Sequence, residues 1–224
     1  MKRALSSVIS FLIVPVIVAV ISILFPERSY LALSLGIALI SILFLFFAFD
    51  RKQMSAARLV IISSLTALSI VGRILFAPFP GVKPVTAFVI LTAIWFGPES
   101  GYLCGALSAL ISNFYFGQGP WTPFQMAVWG MIGFLAGLIG ASLKKNRILL
   151  SLYGAFSGVV FSLLMDVWTV LWADGFFHPA RYLTAVAAAL PYTAAYAVSN
   201  VVFLLILTPV VGKALDRLKK KYRI

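Results

Sequence analysis

Residues 84–116, PVTAFVILTAIWFGPESGYLCGALSALISNFYF, contain two apolar runs that are separated by the tripeptide Gly97-Pro98-Glu99. Each run approaches the ~20 residues that a helix needs to cross a bilayer. Because glycine and proline interrupt a helix, the stretch predicts a tight hairpin of two membrane helices. Both runs are on the short side, which favours tilted, thinned or partly re-entrant spans.

The composition of the whole chain predicts an all-α integral membrane protein. Of 224 residues, 62% are hydrophobic and only 11% are charged, and the mean hydropathy is +1.06. A soluble domain needs more charge to cover its surface. The single cysteine, Cys104, excludes an intrachain disulfide and a cysteine-based metal site. Apolar runs of spanning length predict eight helices at roughly 5–25, 29–49, 55–76, 84–97, 99–116, 123–143, 148–172 and 186–210.

The basic residues predict that both termini are cytoplasmic. With the first run taken as a retained span and the N-terminus inside, 14 of the 18 Lys and Arg residues fall on the cytoplasmic side. The other four are Arg28, Arg73, Lys83 and Arg181. Short clusters between apolar runs indicate a multi-pass protein of the cell membrane, with no role in binding nucleic acid. The basic run at 213–223 predicts a topology anchor at anionic lipid, with a docking site for a cytoplasmic partner as the alternative.

The content of polar residues inside the apolar runs changes near residues 50–53 and divides the chain into two parts. Residues 1–50 form two plain apolar spans, predicted to be two additional N-terminal transmembrane helices. Residues 51–224 carry Ser, Thr, Asn, Gln, Gly, Trp and Tyr throughout their spans. Polar side chains inside a membrane cluster at functional sites, so residues 51–224 are predicted to be a six-helix substrate-binding core.

Polar and aromatic residues of this core gather near the predicted outer level. An intramembrane charge normally faces a partner or a wet cavity, and amides with aromatic rings suit a large ligand that is partly apolar. The predicted substrate-binding residues are Arg73, Lys83, Asn113, Gln118, Trp121, Gln125, Trp129, Asp166, Trp168 and Tyr192. Two alternatives stay open: an Arg73–Asp166 pair that joins two helices, and an interfacial belt of aromatic rings.

Two outer segments are predicted to cover this site. Residues 113–126, NFYFGQGPWTPFQM, combine prolines and glycines in a rigid turn that directs amides and Trp121 inward. Residues 172–182 are predicted to form a loop that acts as a lid and holds His178, the only histidine. A lone loop histidine is usually solvated, and the alternative is contact with a metal inside the ligand.

Small residues predict close helix packing at two places. Ala56, Ser63 and Ala67 share one face of the first core helix, and small residues spaced four apart let another helix approach closely. Either a partner or the bundle itself can use this face. Gly130, Gly133 and Gly137 are assigned to packing within the bundle.

The residues needed for catalysis are scarce. Hydrolytic sites in membranes use paired acids, histidine clusters or metal ligands, whereas this chain has one histidine and six acids. It also lacks a phosphate-binding loop of the kind that uses ATP. The sequence therefore predicts a solute-binding protein that is not an enzyme and has no cofactor and no metal.

The core 51–224 resembles the substrate-binding S components of energy-coupling-factor (ECF) vitamin transporters, most closely the cobalamin type. The segments that carry the resemblance are 57–59, 72–73, 83–84, 95–98, 105–109, 112–114 and, as the most specific, 116–126. The two N-terminal spans depart from the six-helix form of that family.

The resemblance implies a mechanism and partners. An S component binds a vitamin outside and associates with a transmembrane coupling subunit and two cytoplasmic ATPase subunits. It then topples in the membrane to release the vitamin inside. The implied contact with the coupling subunit is the face of Ala56, Ser63 and Ala67. Cobalamin or a related corrinoid is the first expectation, riboflavin or a queuosine-type base the second, and a stand-alone permease the alternative from another class.

Overall fold

The computed structural model describes residues 55–224 together with Gly36, and residues 55–224 form seven α-helices and no strand. The helices are α1 (Ala56–Leu75), α2 (Val85–Phe96), α3 (Pro98–Phe116), α4 (Trp121–Leu138), α5 (Gly140–Lys145), α6 (Arg147–Asp174) and α7 (Pro179–Tyr222). The all-α membrane fold is thus confirmed, and a helix forms in each of the six predicted core spans. The two predicted N-terminal helices lie outside the described residues, so they stay a prediction.

Local signals explain where several helices begin. Ser55 Oγ accepts a hydrogen bond from Arg58 N at 3.2 Å, and Asn146 Oδ1 accepts from Ile148 N at 2.9 Å. Such side chains satisfy backbone donors that the first turn of a helix leaves free. Pro98 and Pro179 occupy the first turns of α3 and α7, where proline removes no helical hydrogen bond.

Three predicted boundaries were wrong. The predicted span 123–143 breaks at Ile139 into α4 and the short α5. The predicted turn 113–126 is mostly helical, and only residues 117–120 separate α3 from α4. The predicted loop 172–182 shrinks to residues 175–178, because α6 continues to Asp174 and α7 begins at Pro179. So short a connection is too small for the lid that the sequence suggested.

The central helix of the bundle is α2. Its 12 residues measure about 18 Å at 1.5 Å per residue, which is less than the ~30 Å hydrocarbon core. Eleven of them are buried, and α1, α3, α4, α6 and α7 all pack against α2. Protein side chains thus surround this helix where lipid would otherwise do so. Three other helices, α1, α6 and α7, are long and apolar enough to cross a membrane.

Glycines bring α3 and α4 into backbone contact. A Cβ atom on Gly133 would lie 2.4 Å from the carbonyl oxygen of Gly101, and one on Gly105 would lie 2.4 Å from that of Trp129. A Cβ on Gly137 would meet the Cα of Pro98 at 2.4 Å. This contact confirms the prediction that the glycines of α4 serve packing within the bundle.

Helix α7 continues well past the bundle core and is fastened near its C-terminus. Its 44 residues span about 66 Å, more than twice the hydrocarbon thickness. Trp95 Nε1 donates to Asp216 Oδ1 at 2.8 Å, and Lys219 Nζ donates to the Trp95 carbonyl at 2.9 Å. Lys144 Nζ lies 2.6 Å from the same Asp216 oxygen. These contacts hold the polar end of α7 against α2 and α5.

The α3–α4 contact predicts that Gly133→Val destabilises the protein. The added side chain overlaps the backbone at Gly101, and overpacking of this kind costs about 1–3 kcal/mol. We expect a lower midpoint of thermal unfolding in detergent. Ala141→Val is the matched control, because Ala141 is an exposed position of α5. Equal midpoints for the two variants would contradict the close α3–α4 contact.

Candidate functional site

Arg73 joins the last turn of α1 to the end of α3. Its Nη1 atom donates to Ser112 Oγ and, at 2.8 Å, to Asn113 Oδ1. Only 5% of the residue is exposed. Its guanidinium carbon lies 4.6 Å from the centre of the Phe116 ring and 5.0 Å from that of Trp129. The charge is therefore held by two acceptors and two ring faces.

Asn113 connects α3 to α4. Its side chain is fully buried, and its Nδ2 atom donates to Thr122 Oγ1 at 2.8 Å and to Gln125 Oε1 at 2.9 Å. Because Oδ1 accepts from Arg73, all the polar atoms of this amide are engaged. The result is a continuous polar network across α1, α3 and α4, which we call the Arg73 network (Arg73, Ser112, Asn113, Thr122 and Gln125).

The turn at 117–120 is hydrogen-bonded to this network through Thr122. Gln118 Nε2 donates to the Leu110 carbonyl at 2.8 Å, and Gln118 Oε1 accepts from Thr122 Oγ1 at 3.0 Å. A Cβ atom on Gly119 would lie 2.2 Å from the Trp121 ring, so the backbone passes directly over the indole. Both functional groups of the Gln118 amide thus bind to the flanking helices, one to α3 and one to α4, although the residue is exposed.

Three tryptophans form a row between α4 and α6. The Trp121 and Trp168 ring centres are 5.8 Å apart and the rings are nearly perpendicular, at 75°. Trp168 and Trp172 stack with centres 5.9 Å apart. The buried Trp168 Nε1 has no hydrogen-bond partner within the described part of the chain. Sequence reasoning placed Trp121 and Trp168 in the site, and they do lie in contact.

Lys83 approaches the same region from the connection between α1 and α2. Its backbone N donates to Ser199 Oγ at 3.2 Å, which ties this connection to α7. Its Nζ atom lies 5.6 Å from the centre of the Phe116 ring, whose other cationic neighbour is Arg73. Burial lowers the pKa of Lys83 below its ordinary value, and the positive charge of Arg73 lowers it further.

Asp166 and Tyr192 are not joined to the Arg73 network. Within residues 55–224, Asp166 forms no ion pair with Arg73, and its buried Oδ2 atom has no hydrogen-bond partner. The structure therefore does not contain the helix-joining pair that was one alternative. Tyr192 is 53% exposed.

Several residues of the site escaped sequence reasoning. Ser112, Phe116 and Thr122 lie beside predicted residues and contact Arg73 or Asn113. Phe161 stacks on Trp129 with ring centres 4.7 Å apart, and Tyr196 follows at 5.3 Å from Phe161. The first three stand within the quoted motifs, so proximity in sequence could have found them. Phe161 and Tyr196 carried no such signal.

The predicted small-residue face of α1 is exposed. Ala56, Ser63 and Ala67 lie on the exposed side of the helix, while Leu65 and Ser69 on the other side are buried. The bundle that the structure describes therefore leaves this face free for another molecule. Its role in contacting a coupling subunit stays a prediction.

A separate cavity of about 440 Å³ lies at the connection between α6 and α7. Its lining residues are Asp174, Phe176, His178, Ala180, Arg181 and Thr184. Arg181 Nε lies 2.7 Å from Asp174 Oδ2, and His178 Nδ1 accepts from the Arg181 backbone N at 3.4 Å. His178 thus caps α7. In the described ranges, no group of three or more His, Cys, Asp and Glu residues could hold a metal ion.

Comparison with protein families gives one match. The model of the family described as "ECF-type riboflavin transporter, S component" matches residues 53–217, which is most of the chain and reaches from the residues before α1 into the C-terminal part of α7. No curated protein and no solved structure matches the chain.

The Arg73 network predicts that Asn113→Leu destabilises the protein. The substitution takes from Arg73 one of its two hydrogen-bond acceptors and from Gln125 Oε1 its donor, and each such loss in a buried or partly buried place costs about 1–3 kcal/mol. We expect the midpoint of thermal unfolding in detergent to fall. Thr169→Val is the control, because the Thr169 hydroxyl is exposed and bonds only within its own helix. An unchanged midpoint for Asn113→Leu would show that the network does not hold α1, α3 and α4 together.

Proposed function

Because the chain belongs to the family of ECF-type riboflavin transporter S components, we propose that it captures a vitamin and delivers it for import across the cell membrane. The family is one of transporter components and not of enzymes. The protein binds its substrate and leaves ATP hydrolysis to its partners, consistent with its lack of a phosphate-binding loop.

The observation that carries this proposal is the Arg73 network together with its rings. A buried cation, a buried amide and a partly buried amide meet three aromatic side chains at one end of the bundle. Polar groups at membrane depth are costly, so their concentration at one end favours a binding site over packing alone. Aromatic faces with a few fixed polar groups are typical of small-molecule sites.

The substrate that this site favours is a planar heteroaromatic vitamin of the riboflavin type. The tryptophan row offers ring faces and edges, and the amides offer hydrogen bonds to ring nitrogens and carbonyls. The name of the matching family agrees with this substrate class. Cobalamin is the second candidate, favoured by the resemblance of residues 116–126 to cobalamin-type S components. Cobalamin would require a wide and open binding cavity, whereas a flat ring needs only a narrow one.

The orientation follows from the basic residues. The Arg73 network lies at the end of the bundle opposite to Lys144, Asp216 and Lys219. Basic clusters favour the cytoplasmic side, so the binding end faces outward and both termini are cytoplasmic. The vitamin is then taken up from outside the cell.

The partners in this proposal are a transmembrane coupling subunit and two cytoplasmic ATPase subunits. The exposed face of Ala56, Ser63 and Ala67 lets a partner helix approach closely. After capture, the loaded chain topples against the coupling subunit and opens toward the cytoplasm. The apolar outer surface of the bundle is compatible with such a rotation in lipid.

Binding of purified protein to riboflavin and to cobalamin tests the substrate. We expect one of them to bind, and Trp121→Ala to weaken binding about tenfold or more because a ring contact is lost. Gln125→Ala tests the polar side of the site in the same titration. Phe156→Ala is the control, since this ring is 57% exposed on α6. Unchanged affinity in both site variants would remove Trp121 and Gln125 from the site.

Uptake in proteoliposomes tests the coupling face. Ala67→Trp places a bulky ring where a partner helix is proposed to pack, so we expect loss of ATP-driven uptake with vitamin binding retained. Leu152→Trp, at a position of α6 that is 62% exposed, is the control and should transport normally. Uptake by the chain alone, without any coupling module, would favour a permease instead.

A further inference from the structure

Two cations converge on one ring in the Arg73 network. The guanidinium carbon of Arg73 lies 4.6 Å from the centre of the Phe116 ring, and Nζ of Lys83 lies 5.6 Å from the same centre. The two charges come from different parts of the chain, the end of α1 and the connection that follows it. Like charges this close repel each other, and burial strengthens the repulsion because little water screens it.

No acid in the described part of the chain balances this pair. Two of the four described acids pair with other cations: Asp174 lies 2.7 Å from Arg181, and Asp216 lies 2.6 Å from Lys144. The other two are Glu99, in the first turn of α3, and Asp166, which lies on α6 and forms no ion pair within the described residues. Glu27 and Asp50 lie outside the described residues. The partners that Arg73 and Lys83 do have are neutral hydroxyl, amide and ring groups.

The two cations also have hydrogen-bonding capacity to spare. Arg73 is only 5% exposed, yet its Nε atom has no hydrogen-bond partner among the residues that the structure describes. Within residues 55–224, Nζ of Lys83 forms neither a hydrogen bond nor an ion pair, and the residue is half-buried. Cation–π contacts of this kind contribute about 0.5–2 kcal/mol and leave the N–H donors unused. An unsatisfied buried donor is costly, which favours an acceptor that is supplied from outside.

From these contacts we propose that the transported vitamin carries a carboxylate or phosphate group that binds Arg73 and Lys83 beside Phe116. The proposal rests on the proposed function and narrows its substrate to vitamins that carry an anion, so that among compounds of the riboflavin type the 5′-phosphate is favoured over neutral riboflavin. A guanidinium presents parallel donors that match the oxygens of either anion, and an ammonium adds a point charge. The neutral part of the vitamin then extends toward Trp121 and the tryptophan row.

Matched pairs of vitamins that differ only in the anion test this proposal. The pairs are riboflavin and its 5′-phosphate, pyridoxal and its 5′-phosphate, nicotinamide and nicotinate, and biotin amide and biotin, with cobalamin added as a single compound. Purified full-length protein in nanodiscs is titrated with each by calorimetry. We expect the anionic member of at least one pair to bind about tenfold or more tightly than its neutral partner, since a bond to a charged group is worth about that much.

Variants of Lys83 show whether this preference comes from the paired cations. Lys83→Met should lower the ratio of the two affinities, because Arg73 alone then holds the anion, whereas Lys83→Arg keeps the charge and should keep most of the preference. Lys145→Met, an exposed position at the other end of the bundle, should leave the ratio at its wild-type value. Thermal unfolding of each variant confirms that it is folded before the titration.

The outcomes separate this proposal from the function it rests on. A phosphate pair or a carboxylate pair that shows the preference identifies which anion is bound. If a neutral vitamin binds as tightly as its anionic partner, or if Lys83→Met keeps the full preference, the anion proposal is wrong and the proposed function stands. If no compound in the panel binds, the proposed function fails and the anion proposal fails with it.

Discussion

The contact between Arg73 and Asn113 links the fold to the site. Arg73 lies in the last turn of α1 and donates to the side chain of Asn113, near the end of α3. The same amide donates to Thr122 and Gln125 of α4. A cation this well buried in a membrane protein is stable only if its donors find acceptors. The bundle must therefore keep three helix ends in register, and the same requirement gathers these polar groups at one end of the bundle.

Close packing of α3 against α4 makes this register possible. Gly105 lies against the Trp129 carbonyl, and Gly101 lies against Gly133, so the two helices approach more closely than side chains would allow. The approach brings the Trp129 ring to 5.0 Å from the Arg73 guanidinium carbon and stacks it on Phe161 of α6. Residues that look purely structural in the sequence thus determine the shape of the site.

The two ends of the bundle have different chemistry, as a protein that hands over its substrate requires. One end carries the Arg73 network and the tryptophan row. The other carries Trp95, which is tied to Asp216 and Lys219 of the long α7. The exposed small residues of α1 begin near this second end and continue along the helix. Membership in a family of transporter S components fits the proposal that the first end binds the substrate and the small-residue face of α1 contacts a partner.

The sequence by itself determined the membrane class and where the core helices form, and it predicted the segments in which we propose the site. Hydrophobic runs and charge clusters are properties of neighbouring residues, so they need no knowledge of folding. It also pointed to the stretch 113–126, in which Asn113 bonds to Gln125 and Trp121 contacts Trp168. The end of the last outer loop was misjudged because the capping of α7 by His178 and Pro179 was overlooked.

Only the tertiary structure decided which polar residues meet. Arg73 and Asn113 form a hydrogen bond although they are 40 positions apart in the sequence. Lys83 and Arg73 both contact the ring of Phe116, which no rule of sequence spacing could have predicted. Asp166 looked like the natural partner of Arg73 by depth, yet neutral Ser112 and Asn113 take that place. Depth along a helix can be read from a sequence, whereas the direction in which a side chain faces depends on how the helices are rotated and packed.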